Sequence, residues 1–335
     1  MTARPIPTVL TVVIPTYNRQ HQLSELLESL AAQTLAHDRF EVVLVDDGSA
    51  DGTAELAGRA YPFAFTYLFQ TNQGDAIARN TGAERARGDY LVFLDDDIVL
   101  HPDYLEKIIT TLSGGRARIV VGREITWLGD SNPALDPVVG DSDPDIQPSI
   151  EGVPFVEVCS NNMSIRRDGF FRVGKMENLG FSGSSIWCDV EFSYRAHLEG
   201  FEFLRDNRAV CWHRDHVLAS LAGRRKRARD AGFRAAVLFK RHPALVRYLP
   251  MFADKTPVDL QRDPPGTILR KLLRRVSASP AIVGVIERIT AGMPAGLRES
   301  RLSRRLQRWL IGAAIFRGYN DGAREIISLS GSGSN

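Results

Sequence analysis

The segment that constrains this chain most is residues 88–104, GDYLVFLDDDIVLHPDY, in which an apolar run meets a cluster of acids. Residues 90–94 are rich in β-branched and aromatic types, which is typical of a strand buried on both faces. Asp95, Asp96 and Asp97 follow at once. Burying these carboxylates side by side is unfavourable without a cation, because desolvation and repulsion would protonate some of them. The segment therefore predicts a metal site at a sheet edge or, in the simpler case, a solvated acidic turn.

Other apolar runs indicate that this strand belongs to a larger sheet. Residues 9–15 form a second apolar run, and residues 40–45 and 65–69 have strand composition. Leucines at helical spacing follow the first run, with Asn18 as the expected N-cap of their helix. A second helix is expected over residues 74–87, closed by Gly88. Strands alternating with helices at this spacing predict an α/β fold with βαβ units and a mostly parallel sheet.

Composition limits the class of protein. The 335 residues are 44% hydrophobic and 24% charged, as in ordinary globular proteins. Cys159, Cys188 and Cys211 are odd in number and widely spaced, which argues against a disulfide framework and a structural zinc site. No signal peptide or bilayer-spanning apolar run is recognisable, so we expect a cytoplasmic protein.

Charge divides the chain in two. Residues 221–335 hold 23 Lys and Arg against 8 Asp and Glu, whereas residues 1–220 hold 19 against 32. An acidic first part and a basic last part indicate two separate tasks.

The turn after the first apolar run limits how a nucleotide could bind. It contains neither G-x-G-x-x-G nor G-x-x-x-x-G-K, so a diphosphate is not expected on the first helix N-terminus. The triple Asp offers another means of neutralising phosphates, through Mg²⁺ or Mn²⁺ held by one or two carboxylates.

Four motifs stand in order along the first part of the chain: residues 13–18 (VIPTYN), 45–49 (VDDGS), 72–80 (NQGDAIARN) and 94–97 (LDDD). Together they resemble family 2 glycosyltransferases with the GT-A fold, over roughly residues 8–216. The resemblance implies a Rossmann-like catalytic domain at residues 1–217 with helices flanking its sheet. We expect a basic helical region at 218–327 and a disordered tail at 328–335.

The resemblance also implies a set of nucleotide-sugar contacts. The residues concerned are Pro15, Thr16, Tyr17, Asn18, Asp46, Asp47, Arg79, Asp95 and Asp96. One carboxylate of the Asp46/Asp47 pair would accept from the base N–H, Arg79 would lie by the diphosphate, and Asp95 would approach the ribose. Asp97 would ligate the metal. The simpler alternatives are an ordinary turn at Asp46 and Asp47 and a solvated Arg79 on its helix.

Residues 159–167 (CSNNMSIRR) resemble the family segment on the sugar and acceptor side, which implicates Asn161 and Asn162. The alternative is a polar strand end with Asn turns. Residues 130–152 are rich in Pro, Asp and Ser and have no periodicity, so a long loop of the kind that forms lids is expected there.

Residues 187–195 (WCDVEFSYR) predict the start of a helix with Asp189 in its first turn. By resemblance, Asp189 is the catalytic base that takes the proton of an acceptor hydroxyl. Cys188 stands where the family usually has an acid, which puts the choice of acceptor in doubt. The alternative for Asp189 is a helix cap only.

A histidine that follows the last strand can supply a further metal ligand in this family. His213 is the better placed candidate and His216 the second. Imidazole suits Mn²⁺ better than Mg²⁺, and a purely structural histidine is the alternative.

The expected reaction is transfer of a sugar, with inversion, from a nucleoside-diphosphate sugar to an acceptor hydroxyl. A UDP-sugar is the favoured donor. The acceptor can be lipid-linked, as in cell-surface polysaccharide or glycolipid synthesis.

Amphipathic basic segments in the last third predict either packing on the catalytic domain or peripheral membrane contact on the inner membrane face. Aromatic residues are sparse among these basic residues, which argues against nucleic acid as a partner. A nucleotidyltransferase and a non-catalytic membrane adaptor remain as alternatives.

Overall fold

The computed structural model describes residues 9–127, 149–180, 186–214, 220–297 and 300–331. The chain divides into two compact units between residues 215 and 216, close to the domain boundary expected after residue 217. We refer to them as the N-terminal and C-terminal units and describe each by itself.

The N-terminal unit is built on one sheet. Within the described residues its strands are β1 (Leu10–Thr16), β2 (Phe40–Asp46), β3 (Ala64–Phe69), β4 (Tyr90–Phe93), β5 (Ile98–Leu100), β6 (Arg118–Thr126), β7 (Ile150–Gly152), β8 (Met163–Arg166) and β9 (Glu202–His213). Their order is β3-β2-β1-β4-β8-β6-β9-β5, and β7 also pairs with β9. The helices are α1 (Gln20–Ala31), α2 (Asp75–Arg85), α3 (Tyr104–Ser113), α4 (Arg167–Val173) and α5 (Cys188–Leu198).

The sheet is mixed. Strands β3, β2, β1 and β4 are parallel to one another, as the βαβ pattern predicts. Beyond β4 the sheet changes direction, because β8 is antiparallel to both β4 and β6. Strand β9 is parallel to β6 and antiparallel to β5 and β7. The α/β fold class is confirmed, with the all-parallel part confined to the first four strands of the order.

The core follows the apolar runs. Every residue of β1 and β2 is buried, as expected for strands with helices on both faces. Four leucines of α1 at helical spacing are also buried: Leu23, Leu26, Leu27 and Leu30. Burying each such leucine side chain stabilises the fold by roughly 1.5–3 kcal/mol.

Several local predictions differ from the structure. Gly88 does not end α2, which stops at Arg85; a Cβ at Gly88 would lie 2.6 Å from the backbone of Leu10, so this glycine permits close approach of β1. Asn18 does not cap α1. It adopts a positive φ of 54°, and its side chain accepts from the Ala50 N–H at 2.8 Å, while Asp51 accepts from the first helical N–H, that of Gln20.

The predicted loop at 130–152 lies mostly outside the described residues, except that its last three residues form β7 and extend the sheet through pairing with β9. His216 also lies outside the described residues.

The C-terminal unit is helical. It consists of α6 (Leu221–Arg241), α7 (Pro265–Ser277), α8 (Pro280–Ala291) and α9 (Arg301–Gly331), with short 3₁₀ turns between α6 and α7 and between α8 and α9. Helix α9 continues to Gly331, four residues into the segment expected to be disordered, because extending an existing helix costs far less than starting one. No helix in the described part of the chain is long and apolar enough to cross a membrane.

Candidate functional site

A cavity of about 380 Å³ opens where β1, β2 and β4 end. The carboxyl ends of adjacent parallel strands meet at one edge of a sheet, and ligands of α/β proteins bind at such edges. Eight of the residues expected from sequence line it: Pro15, Thr16, Tyr17, Asp47, Arg79, Asp95, Asp96 and Asp97. Arg19, Asn72, Gly74 and Asp75 complete its lining. The structure therefore brings most of the predicted donor-binding residues into one cavity.

Asp46 and Asn18 lie beside this cavity rather than in its lining. The Asp46 carboxylate is fully buried and accepts from the Tyr67 hydroxyl and the Ser49 N–H, each at 2.7 Å. Asn18 ties the end of β1 to the turn after β2. Both residues shape the turns that carry their neighbours Tyr17 and Asp47.

Asp47 organises the segment that leads into α2. Its carboxylate accepts from the Gln70 side chain at 2.7 Å and from the N–H groups of Gln73 and Gly74 at 2.9 and 2.8 Å. Gly74 has a φ of +92°, which favours glycine, and precedes the first residue of α2. The carboxylate thus fixes where α2 starts and hence where Arg79 lies.

Arg79 is almost fully buried yet charged. Its guanidinium donates to Asp75 at 2.9 Å and to Asp95. Burial alone would lower the pKa of Arg79, but the negative charges of Asp95 and Asp75 raise it. The alternative of a solvated helix residue is wrong, because Arg79 is a fixed cation in the wall of the cavity.

The three successive aspartates have different environments. Burial raises the pKa of Asp95 against the attraction of Arg79. Burial raises the pKa of Asp96 to about 7, and its carboxylate accepts from the Thr16 hydroxyl at 2.8 Å. Burial alone would raise the pKa of Asp97 as well. The hydrogen bond and charge of His213, with those of Arg19, instead hold this pKa below its ordinary value.

A chain of polar contacts leads from Asp97 to a second region. Arg19 lies 2.5 Å from Asp97 Oδ2, and His213 Nε2 lies 3.2 Å from Asp97 Oδ1. His213 Nδ1 lies 2.8 Å from Glu124, which accepts from the Asn161 side chain at 2.5 Å. Burial would lower the pKa of His213, but hydrogen bonds to Asp97 and Glu124 raise it to about 10.

Asp97 and His213 can serve as metal ligands. Asp97 Oδ1 is buried, and its contact with His213 Nε2 at 3.2 Å leaves a lone pair of this oxygen for a cation. The described residues contain no group of three His, Cys, Asp or Glu side chains arranged to hold a metal ion. One carboxylate and one imidazole fit a cation whose remaining ligands come from phosphate oxygens and water.

The second region is a cavity of about 550 Å³ lined by Glu124, Asn161 and Asn162, together with residues of β6, β7 and β9. The side-chain oxygens of Asn161 and Asn162 are buried and have no donor within the described residues. Unsatisfied buried acceptors are unfavourable unless a ligand or water satisfies them. Both asparagines thus lie where a hydroxyl-rich ligand would find hydrogen-bond acceptors.

Asp189 is the second residue of α5, as its sequence predicts. It is partly buried, and its carboxylate accepts from the N–H of Val190 at 2.8 Å. Burial raises its pKa; the charge of Arg79 opposes this and that of Asp75 adds to it. Asp189 is therefore within electrostatic range of the cluster that lines the first cavity. On the same helix, Arg195 forms an ion pair with Glu191 at 2.8 Å.

Arg19 and Glu124 are site residues that sequence reasoning missed. Arg19 directly follows the VIPTYN motif and was therefore adjacent to a recognised signal. Glu124 lies on β6, which runs from Arg118 to Thr126. Glu124 reaches the site because β6 pairs with β9, where it lies opposite Cys211. No local sequence pattern indicates that pairing.

Comparisons with known proteins agree with this geometry. Residues 11–134 match the model of the family described as Glycosyl transferase family 2. Glycosyltransferase AglE of Haloferax volcanii is 30% identical over 195 residues, which are 57% of this chain and 62% of that protein. The chain thus spans less than two thirds of this relative.

Solved structures share the fold. Mannosyltransferase PcManGT from Pyrobaculum calidifontis, in complex with GDP-Man and Mn²⁺, is 19% identical with a TM-score of 0.60 over 95% of this chain and 90% of that chain. S. aureus TarS 1-349 in complex with UDP is 18% identical with a TM-score of 0.51 over 94% and 92%. The chain shares the GT-A fold of these structures. Residues 11–134 are therefore related to glycosyltransferase family 2.

Proposed function

We propose that this chain transfers a sugar from a nucleoside-diphosphate sugar to an acceptor hydroxyl with the help of a divalent metal ion. The observation that carries the proposal is the meeting of Asp97, His213 and the buried Arg79 at the edge of the parallel strands. Anionic and cationic groups side by side suit a ligand that brings both phosphate and metal. The solved neighbours bound to GDP-Man with Mn²⁺ and to UDP support the same type of donor.

The donor would lie in the 380 Å³ cavity. Half-exposed Tyr17 and the β1 end at Pro15 and Thr16 would contact the nucleoside. Asp47 is better placed than Asp46 to accept from the base N–H, because it lines the cavity. Asp95 would accept from the ribose, and Arg79 would face the diphosphate. A UDP-sugar remains our favoured donor.

Asp97 and His213 would hold the metal once the cation displaces the proton of the imidazole, and an imidazole ligand favours Mn²⁺. Arg19 bonds one oxygen of Asp97 and so orients the other toward His213. When bound, the metal would neutralise charge that develops on the departing diphosphate.

Asp189 would act as the base. The acceptor oxygen forms a bond to the anomeric carbon of the sugar while the bond from that carbon to the diphosphate breaks. Its electron pair leaves with the nucleoside diphosphate, and the hydroxyl proton passes to Asp189. A single displacement inverts the anomeric configuration. Asn161, Asn162 and Glu124 in the 550 Å³ cavity would bind the acceptor or sugar hydroxyls.

Turnover of a panel of sugar nucleotides with Mn²⁺ tests this function. We expect nucleoside diphosphate release from one donor and a product with inverted anomeric configuration by NMR. A retained configuration would contradict the role of Asp189 as base, and no turnover with any donor or acceptor would contradict the function itself.

The C-terminal unit supports a membrane-linked acceptor. Helix α7 exposes Leu269, Leu273 and Val276 to more than half of their surface, beside exposed arginines. Apolar and basic residues together on one exposed helix suit the surface of an anionic membrane. We propose that this helix brings the enzyme to a lipid-linked acceptor. The alternatives of a nucleotidyltransferase and an adaptor have no supporting observation among the described residues.

A further inference from the structure

The C-terminal unit contains a cavity of about 800 Å³ between α6, α7 and α9, closed by the segment before α7. Its size is within the range of small-molecule sites. The cavity lies entirely within this unit, and neither the family model nor the donor site involves it.

Basic side chains dominate its lining. They are Arg229, Lys271, Arg275, Arg317 and Arg324, against a single acid, Asp321. Asp321 already pairs with Arg229 at 2.8 Å. Lys271 is buried and bonded to Asp263 at 2.6 Å and to the Pro257 carbonyl at 2.8 Å. The charges of Arg229 and Lys271 are therefore already neutralised by carboxylates of the protein.

Three arginines remain. Arg275, Arg317 and Arg324 form no ion pair or side-chain hydrogen bond with any described residue. Arg317 and Arg324 are seven residues apart on α9 and so share one face of the helix. Guanidinium groups that line one cavity and have no acid paired to them repel one another, and an anion between them removes that repulsion.

The chemistry of the lining specifies the anion. Arginine presents planar pairs of N–H donors that match phosphate oxygens. Asn320 and Thr256 add neutral polar groups, while Leu272, Val258 and Phe316 make part of the wall apolar. Nucleic acid would need several stacking aromatic residues, whereas the described lining of the cavity contains one, Phe316. The positive charge of the lining disfavours a metal cation.

We propose that this cavity binds the phosphate groups of a phosphorylated ligand that also carries an apolar part. A diphosphate fits the three arginines better than a single phosphate, because each added charge gains a further charge-assisted hydrogen bond. The phosphate can belong to a soluble compound or to a lipid headgroup. This site goes beyond sugar transfer and does not depend on it.

Calorimetric titration with inorganic diphosphate in EDTA tests the soluble source, since EDTA removes metal from the donor site. Vesicles of phosphatidic acid in phosphatidylcholine test the lipid source. The test variant is Arg317→Gln with Arg324→Gln. The matched control is Arg305→Gln with Arg308→Gln, which changes the same charge at exposed positions of α9 outside the cavity.

We expect the test variant to weaken binding of at least one probe by about tenfold or more, with the control unchanged. The probe affected identifies the source. Replacement by lysine should restore binding in part, and Mn²⁺-dependent donor binding should stay the same in all variants. Equal binding by test and control variants, or no binding of either probe to the unmodified chain, would overturn the proposal.

Discussion

At the scale of single residues, the site separates identical side chains by environment. Asp95 pairs with Arg79, Asp96 accepts from Thr16 and has its pKa raised to about 7, and Asp97 is held ionised by His213 and Arg19. Only an ionised carboxylate ligates a divalent metal well. The geometry therefore favours Asp97 over its two neighbours as the ligand.

Replacing Asp189 by Asn should lower kcat by about 10²- to 10⁴-fold, because the neutral amide cannot take the proton of the attacking hydroxyl. The Kd of the donor should change little, since Asp189 is outside the lining of the donor cavity. Steady-state kinetics and calorimetry on the same preparation measure the two effects. An unchanged kcat would show that Asp189 only caps α5.

The pH profile should show the same base. Burial raises the pKa of Asp189, so the active, deprotonated form is lost as pH falls through a value above the usual one of about 4. We expect kcat to decline on the acid side well before an exposed aspartate would be protonated. Full activity down to about pH 4 would contradict this assignment.

Much of the site could be predicted because its residues follow strands directly. Asp47, Asp95, Asp96 and Asp97 stand at strand ends that local patterns reveal. Glu124 could not be found this way, because its contact with His213 depends on pairing between strands far apart in sequence. Asp46 has a structural role because it accepts from Tyr67 of β3, and the sequence around Asp46 does not indicate this contact either.

At the scale of elements, the C-terminal unit depends on close packing of α6 and α9. Cβ atoms added at Gly232, Gly318 or Gly322 would collide with carbonyl oxygens of the opposite helix. Such contacts require glycine on both sides of the interface. The sequence shows these glycines, but helical periodicity alone gives no reason for them, because their role is set by the partner helix.

Changing Gly318 to Ala should destabilise the C-terminal unit by about 1–3 kcal/mol through overpacking against the Arg229 carbonyl. The matched change Gly284→Ala, at a glycine of α8 with nothing nearby, should stabilise by about 0.5–1 kcal/mol. Denaturant unfolding followed by circular dichroism compares them. Equal stability of the two variants would refute the close packing of α6 and α9.

At the scale of the whole molecule, charge and apolar exposure are unevenly distributed. The basic residues of the last third and the exposed leucines of α7 belong to the C-terminal unit, whereas the cavities proposed for donor and acceptor belong to the N-terminal unit. This division agrees with one unit that performs transfer and one that engages a charged partner.

Binding to phosphatidylglycerol vesicles should therefore fall as salt rises, because exposed charges are screened. Replacing Leu269 and Leu273 of α7 by Gln should weaken binding at every salt concentration. The control Leu302→Gln, exposed on α9, should leave it unchanged. Co-sedimentation measures the bound fraction, and a chain that ignores anionic vesicles at low salt would contradict membrane contact.

The most direct test of the account is calorimetric binding of sugar nucleotides with Mn²⁺ and with EDTA, in the unmodified chain and in Asp97→Asn. We expect metal-dependent binding of one donor, weakened roughly 10- to 100-fold or more by the substitution. The control Asp38→Asn, at an exposed carboxylate outside the site, should bind normally. Donor binding that is indifferent both to Mn²⁺ and to Asp97 would contradict the metal site on which the proposed function depends.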